Sequence, residues 1–455
     1  MLRIIGAVAA AAFVSTAGGV THGHSSRGTV GDDTASFDVS ALLSAARGVP
    51  PSVCSLAARS VGNGGWGRAS DAPVTPLGPT RSLRDAQGSR DLPPADVDKL
   101  MSALASDDAC VREISVRIIG TQNSGNVAPA LLARLTSTDA SLRAIAAFGL
   151  GLVDARTAGD QLIHSLSDAS ADVRANSAWA LGRIEDGHAL SALLSLFRDA
   201  APLARESSVI AVGRMDSTSA SAALIRTLQH DDVASVRRAA AWALGTLDAK
   251  DGVSALATTL TNDSDAQVRE MSAWALGNLD YNAGASALQR ALQKDTDDKV
   301  RESAAWALGE LGDASATDAL ASAAESDRSS KVRGSAAWAI GQIGHDDSRA
   351  VAGLTHLLKE SDDNVRLRAA WALGQIEDST ALPEIDSALG VEKNADVRRA
   401  LIRAISKSGG NTAARMRVLL DSRDPQVREA AVRSLAGGRS FGPWPWPWPR
   451  PRPWP

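Results

Sequence analysis

The stretch Val236–Gly245, Val-Arg-Arg-Ala-Ala-Ala-Trp-Ala-Leu-Gly, recurs nearly unchanged at Val268–Gly277, Val300–Gly309, Val332–Gly341 and Val365–Gly374. Weaker copies run upstream to Val111–Gly120 and downstream to Val427–Ala436. Aligning the second residue gives Arg112, Arg143, Arg174, Arg205, Arg237, Arg269, Arg301, Arg333, Arg366, Arg398 and Arg428, eleven copies that step by 30 to 33 residues. A period of this length constrains the fold more than any local motif, because each unit must bury its apolar face against its neighbours. The 455 residues could fill two or three compact domains, but a stack growing in one dimension needs no single large core. Aromatics make up only 4% of the chain. That suits helices packed through small residues and argues against a β-sandwich or barrel.

In the copy built on Arg237, residues Val236, Ala240, Ala243, Leu244 and Leu247 share one face of an amphipathic helix. Six residues before the aligned arginine an acid stands in eight successive copies, from Asp168 to Glu392. Acids just upstream of the helix, such as Asp263 with Asp265 and Asp295 with Asp297, are expected to cap its free N–H groups. The closing glycine, Gly245 here, stands where a helix can bend, close-pack or terminate. A second helix is expected to follow, with Asp248 capping a segment whose apolar set is Val253, Leu256, Ala257 and Leu260. Asp154 stands likewise before Ala158, Leu162, Ile163 and Leu166. Each unit is therefore expected to be helix–turn–helix, with terminal copies that depart from the pattern as caps should.

The segment Asp263–Gly277, Asp-Ser-Asp-Ala-Gln-Val-Arg-Glu-Met-Ser-Ala-Trp-Ala-Leu-Gly, resembles the HEAT repeat, in the short form first associated with phycobilin-attaching lyases. The resemblance runs from about Ala95 to Ala436. It implies an all-α fold, a right-handed α-solenoid of about eleven HEAT-like helix pairs whose second helices line a concave surface. It also implies that Arg174, Arg237, Arg269, Arg301, Arg333 and Arg366 form a structural ladder, each bonded to an acid of the neighbouring repeat. HEAT arrays serve as scaffolds, adaptors, lyase subunits and a few enzymes, so fold alone does not transfer function. Deoxyhypusine hydroxylase, an enzymatic relative, holds iron with His-Glu pairs. Here none of the seven histidines (His22, His24, His164, His188, His230, His345 and His356) is followed by Glu. HEAT-like DNA glycosylases use a basic groove. In this chain twelve Lys and Arg stand against three Asp and Glu from Arg398 onward, which leaves about −13 for the preceding part of a chain of net charge −4. Nucleic acid is therefore not an expected partner.

The flanks read differently from the array. Met1–Arg3 is short and basic, Ile4–Val14 is apolar, and Ser15-Thr16-Ala17 offers small residues to a signal peptidase. Residues 1–17 thus read as a secretory signal peptide, too short for an ordinary membrane span, and the chain as exported to the periplasm or secreted from a bacterial envelope. Residues 18–95 form a low-complexity linker with short amphipathic stretches at Phe37–Arg47 and Pro51–Val61. Gly62, Gly64 and Gly67 match a dinucleotide-binding pattern but lack the strand and helix it needs. Cys54 and Cys110 have no metal-type spacing, and they can pair if the chain is exported. The array spans 96–437.

Within the array Trp179, Trp242, Trp274, Trp306, Trp338 and Trp371 occupy one register. It lies on a stripe with Arg238 and Thr246, about 120° from the core centre of the helix. Two readings stand side by side. Each indole packs between successive helices, or the six form an aromatic strip that docks an extended protein or peptide partner. Residues 438–455 form a tail in which proline alternates with Trp444, Trp446, Trp448, Arg450, Arg452 and Trp454. Such a segment is extended and polyproline-like, and suits docking on a groove, contact with an anionic membrane surface, or recognition as a tag. A further expectation is that the tail binds the Trp stripe and the acidic array of its own or a neighbouring copy. No catalytic motif, metal set or cofactor site is apparent. The expectation is an exported, non-catalytic scaffold that binds a protein or peptide on its concave face. The alternatives are a lyase-like or accessory enzyme subunit and an envelope-associated structural protein anchored by its cationic tail.

Overall fold

The computed structural model describes residues 38–50, 54, 92–122, 125–215, 217–279, 281–344, 347–408 and 412–435. The expected signal peptide, most of the linker and the Trp/Pro/Arg tail lie outside the described residues. Twenty-three α-helices and no strand occur among the described residues, in two compact units that divide at residue 216. The first unit holds α1 (Val39–Ala46), α2 (Pro94–Ala103), α3 (Ala109–Ile119), α4 (Val127–Arg134), α5 (Ala140–Leu152), α6 (Gly159–Ser165), α7 (Ala171–Ile184), α8 (Leu190–Leu196) and α9 (Pro202–Gly213). The second begins with α10 (Ser221–His230), α11 (Ala234–Thr246), α12 (Val253–Asn262), α13 (Ala266–Asn278), α14 (Ala285–Lys294), α15 (Asp298–Leu311) and α16 (Thr317–Ser326). It continues with α17 (Ser330–Ile343), α18 (Ser348–Leu357), α19 (Asp363–Ile376), α20 (Leu382–Val391), α21 (Ala395–Lys407), α22 (Thr412–Leu420) and α23 (Pro425–Leu435).

The helices from α3 to α23 with odd numbers carry the eleven motif copies. Within each unit a motif helix packs on the helix before it and on the motif helices of adjacent repeats, as α13 does on α12, α11 and α15. The repeat therefore starts one helix earlier than the motif suggests. A tight Asp-rich link joins the two helices of a pair, and a wider reversal leads to the next pair. That reversal passes through a left-handed residue three positions after the closing glycine: Asp154 (φ 53°), Glu185 (φ 53°), Asp248 (φ 49°), Gly312 and Gly344 (φ 63°) and Glu377 (φ 63°). A 3-10 turn follows, such as Lys250–Gly252 ahead of α12. Asp154 and Asp248 thus end a motif helix instead of capping the next helix, as their position after the motif suggested. Capping of the motif helices falls to Asp139, Asp265, Asp297, Asp362 and Asn394, whose side chains accept backbone N–H bonds of the first turn.

A segment outside the repeat covers the N-terminal end of the first unit. Val39, Leu42 and Ala46 of α1 are buried against α2 and α3. The Gly48 N–H donates to the Asp108 carboxylate at 2.7 Å, and a disulfide joins Cys54 to Cys110 in the first turn of α3.

Candidate functional site

The most regular feature of both units is the arginine ladder. Arg237 Nη1 donates to the Asp231 carbonyl of its own repeat at 3.0 Å, while Nε and Nη2 form a fork on the Asp263 carboxylate of the next repeat at 2.7 and 2.8 Å. Arg269 repeats this on Asp295, and Arg301 on Asp327. Arg333 and Arg366 use the longer Glu360 and Glu392. In the first unit Arg143 takes Asp168 and Arg174 takes Asp199. All six arginines named from the resemblance stand in this ladder. Asp168, Asp199, Asp263, Asp295, Asp327 and Glu392 also accept the backbone N–H two residues on, as Asp263 does from Asp265 at 2.9 Å. The aligned acids are therefore inter-repeat staples and not helix caps. At Asp168 and Asp199 the arginine fork holds the carboxyl below its usual range. At Asp263 and Asp295 burial pushes upward, but the arginine, the backbone N–H and the nearby charges outweigh it.

Trp179, Trp274, Trp306, Trp338 and Trp371 each pack against the preceding repeat of their own unit. Trp179, Trp242, Trp274, Trp306 and Trp338 are each at most 8% exposed, and Trp371 is half-buried. The closing glycine of the preceding repeat makes the room. A Cβ on Gly245 would lie 2.9 Å from Cα of Ala275 and 3.0 Å from Cζ3 of Trp274. Gly277 meets Trp306, Gly309 meets Trp338, Gly341 meets Trp371 and Gly151 meets Trp179 in the same way. The open aromatic strip is thus corrected: ring edge and glycine interlock, and the indoles are spent on the stack. Polar neighbours stitch the same seam, with Asn278 Nδ2 donating to the Gly245 carbonyl at 2.9 Å and Asn176 Nδ2 to Ala144 at 2.8 Å.

Beside the buried indoles lies a row of charged side chains, one turn before each tryptophan: Arg238, Glu270 and Glu302, all half-buried. Among the described residues Glu270 and Glu302 make no hydrogen bond and no ion pair, unlike the ladder acids. Burial pushes both carboxyls above their usual range. Lys299 eases this most at Glu270, and Arg368 at Glu302, where Lys331 also helps. In the next repeat the row breaks at Gly334. A Cβ there would stand 3.1 Å from Arg368 Nη1, which itself donates to Ser335 Oγ at 3.3 Å. The motif-helix face of the second unit therefore presents two carboxylates held partly out of water and, beyond them, a half-buried guanidinium. Glu270 and Glu302 take the stripe position of Arg238 in the next two copies, but sequence reasoning did not single them out and missed Arg368. The signal was there in Gly334, the only glycine at its register.

A second feature is an open groove of about 420 Å³ between α12 and α14, with Lys250, Ser254, Thr258 and Arg290 on its walls and Tyr281 at 49% exposure. Among the described residues no three His, Cys, Asp or Glu converge as a metal ion would require, and no helix is long and apolar enough to cross a membrane.

The family model for HEAT repeats matches residues 127–213, 159–245, 190–277, 221–309, 285–363 and 351–436. No curated protein matches the chain. Among solved structures, importin beta is 16% identical over 75% of this chain and 56% of its own, with a TM-score of 0.55. The chain thus spans little more than half of importin beta. The phycocyanin lyase complex of CpcE and CpcF from Nostoc is 22% identical over 50% of this chain and 92% of its own, with a TM-score of 0.33. Human deoxyhypusine hydroxylase is 22% identical over 55% and 97%, with a TM-score of 0.26. At these identities the likeness is one of fold.

Proposed function

This chain belongs to the HEAT-repeat family, and from that premise we propose that it is an exported, non-catalytic scaffold that binds a protein or peptide partner on the face of its motif helices. The observation that carries the proposal is the pair Glu270 and Glu302. A half-buried carboxylate without a hydrogen bond or ion pair costs the folded array stability, and a stack that can place acids in arginine forks has no need of it. A partner segment carrying Lys or Arg would supply the missing counter-charge on a surface already rigid before it arrives. The disulfide between Cys54 and Cys110 supports export, since such bonds persist in oxidising compartments.

The test compares the wild type with Glu270→Gln/Glu302→Gln as bait in the soluble envelope fraction. Replacing the carboxylates by neutral amides relieves their desolvation, so the variant should melt no lower than the wild type, keep its helicity and lose its partner. A variant that retains the same partner would sink the proposed surface. Detection of the chain in the cytoplasmic fraction, with its N-terminus intact, would sink export.

A further inference from the structure

The two ends of the repeat stack are finished differently. At the N-terminal end α1, Gly48 and Cys54 from outside the array seal the first repeat, the last two through Asp108 and Cys110. At the C-terminal end the face that would meet a following repeat stands open in α23. Ala241 shows what that face does elsewhere: it lies one turn before Gly245, whose Cα approaches Ala275 of the next repeat. The ten residues in its register from Val116 to Ile402 are each at most 1% exposed, yet Val432 in α23 is 54% exposed. The ladder is open there too. Arg428 Nη1 donates to the Ser422 carbonyl at 2.6 Å, as the arginines from Arg143 to Arg366 do to their own loops, but no carboxylate among the described residues takes its fork, and it is exposed. Arg417 is exposed on α22 beside it.

We propose that residues 437–455 of the same chain fold back and cover this terminal face. That segment brings Arg439, Arg450 and Arg452 of its own, so the fit rests on its prolines and tryptophans and not on charge. It has no Asp or Glu to complete the ladder, but its seven prolines present carbonyl acceptors without N–H donors, suited to the free guanidinium edges of Arg428 and Arg417. Its four tryptophans supply apolar area for Val432 and ring faces for the guanidinium planes. The array already makes this contact, with Arg117 Cζ 5.1 Å from the Phe148 ring centre and Arg183 Cζ 5.4 Å from that of Trp179. Reach is no obstacle. The segment begins two residues beyond α23, with Gly437 and Gly438 at the junction, and nineteen extended residues run to roughly 60 Å. The eleven residues of α23 span only about 16 Å. The tail thus plays at one end the part that α1 plays at the other.

The test places a thiol at Val432 (V432C) and follows its alkylation in the oxidised, full-length chain, in a chain ending at Ala436, and in a full-length chain with all four tail tryptophans changed to Ser. The proposal expects alkylation at least 10-fold slower in the full chain than in both others, at a rate independent of protein concentration. V391C, on an exposed residue of α20, should react alike in all three. Equal rates in all three overturn the proposal. So does protection that persists without the tail or without its tryptophans. Protection that grows with protein concentration, together with a doubled mass in solution, assigns the face to a second copy and overturns it as well.

Discussion

Changing Asp327 to Asn should cost far more than the same change at Asp424, although both are ladder acids. The Arg301–Asp327 pair is nearly dry, its side chains 5% and 9% exposed, whereas Arg398 and Asp424 are 19% and 35% exposed. Asp327 accepts from Arg301 Nε at 2.7 Å, from Arg301 Nη2 at 3.0 Å and from the Ser329 N–H at 2.8 Å. An amide has one acceptor oxygen, so either the fork or the backbone bond is lost, and an NH2 group then faces a buried guanidinium. Stranding one partner of a buried pair costs about 3 kcal/mol or more, while an exposed pair is worth about 1 kcal/mol or less. In a stack the loss is local to one interface. Hydrogen exchange therefore reads it better than a melt. About 3 kcal/mol lowers the protection of the α15 and α17 amides roughly 100-fold in D327N, against less than about 10-fold for α21 and α23 in D424N. High salt should shrink the second effect and leave the first. If the two variants lose protection equally, the dry fork is not what couples neighbouring repeats.

Trp306→Ala removes a buried indole and should destabilise by about 3–5 kcal/mol, whereas Trp371→Ala, at a half-buried site, should cost clearly less; thermal melts at matched concentration compare them. Acid should loosen the stack through its ladder. The folded carboxyls of Asp168, Asp199, Asp263 and Asp295 lie below their unfolded values, so their contribution is intact above the ordinary aspartate range near pH 4 and is lost as pH falls through the folded values. Circular dichroism between pH 6 and 2 would show this, and a stack equally stable at pH 2 would contradict it. Reducing the disulfide opens a link across 56 residues, worth about 4 kcal/mol in the chain-entropy picture. Exchange in α1 should rise on reduction while α13–α19 stay unchanged.

How much of this was legible depended on whether one repeat or two had to be known. The eleven arginines, the acids six residues before eight of them and the amphipathic face of Val236, Ala240 and Leu244 can all be read within one copy. The fate of Trp274 could not be read that way. A helical wheel gives its angle but not the distance to the next helix, and that distance is set by the glycine of another copy. Gly245 against Trp274 and Gly309 against Trp338 show the rule: where one repeat closes on glycine, the next has room for an indole beside an alanine Cα. The helix pairing was shifted for the same reason. Asp248 looks like a cap in sequence, but its left-handed backbone makes it the end of α11.

Positions that obey the period are accounted for by the stack, and this sorts the residues that are left. Most ladder arginines and their acids, the closing glycines and the indole rings pack or pair against a neighbouring repeat. The row one turn before the tryptophans is not. It reads Arg238, Glu270, Glu302, Gly334, Leu367 on helices of otherwise near-identical sequence, so the frame does not dictate it. Two members of that row keep carboxylates half-buried without a hydrogen bond or ion pair, whereas the ladder acids beside them sit in arginine forks. A stack this regular holds them at fixed spacing, which lowers the entropy lost when a partner arrives. The spacing is one repeat, and packed helices of adjacent repeats lie about 8–10 Å apart. An extended strand advances about 3.3 Å per residue, so cations three residues apart on such a segment would meet Glu270 and Glu302 together. A peptide with that spacing should bind more tightly than one of equal charge with its cations adjacent, and fluorescence anisotropy of the two would decide it. Equal affinity would mean that the row attracts charge without reading its position.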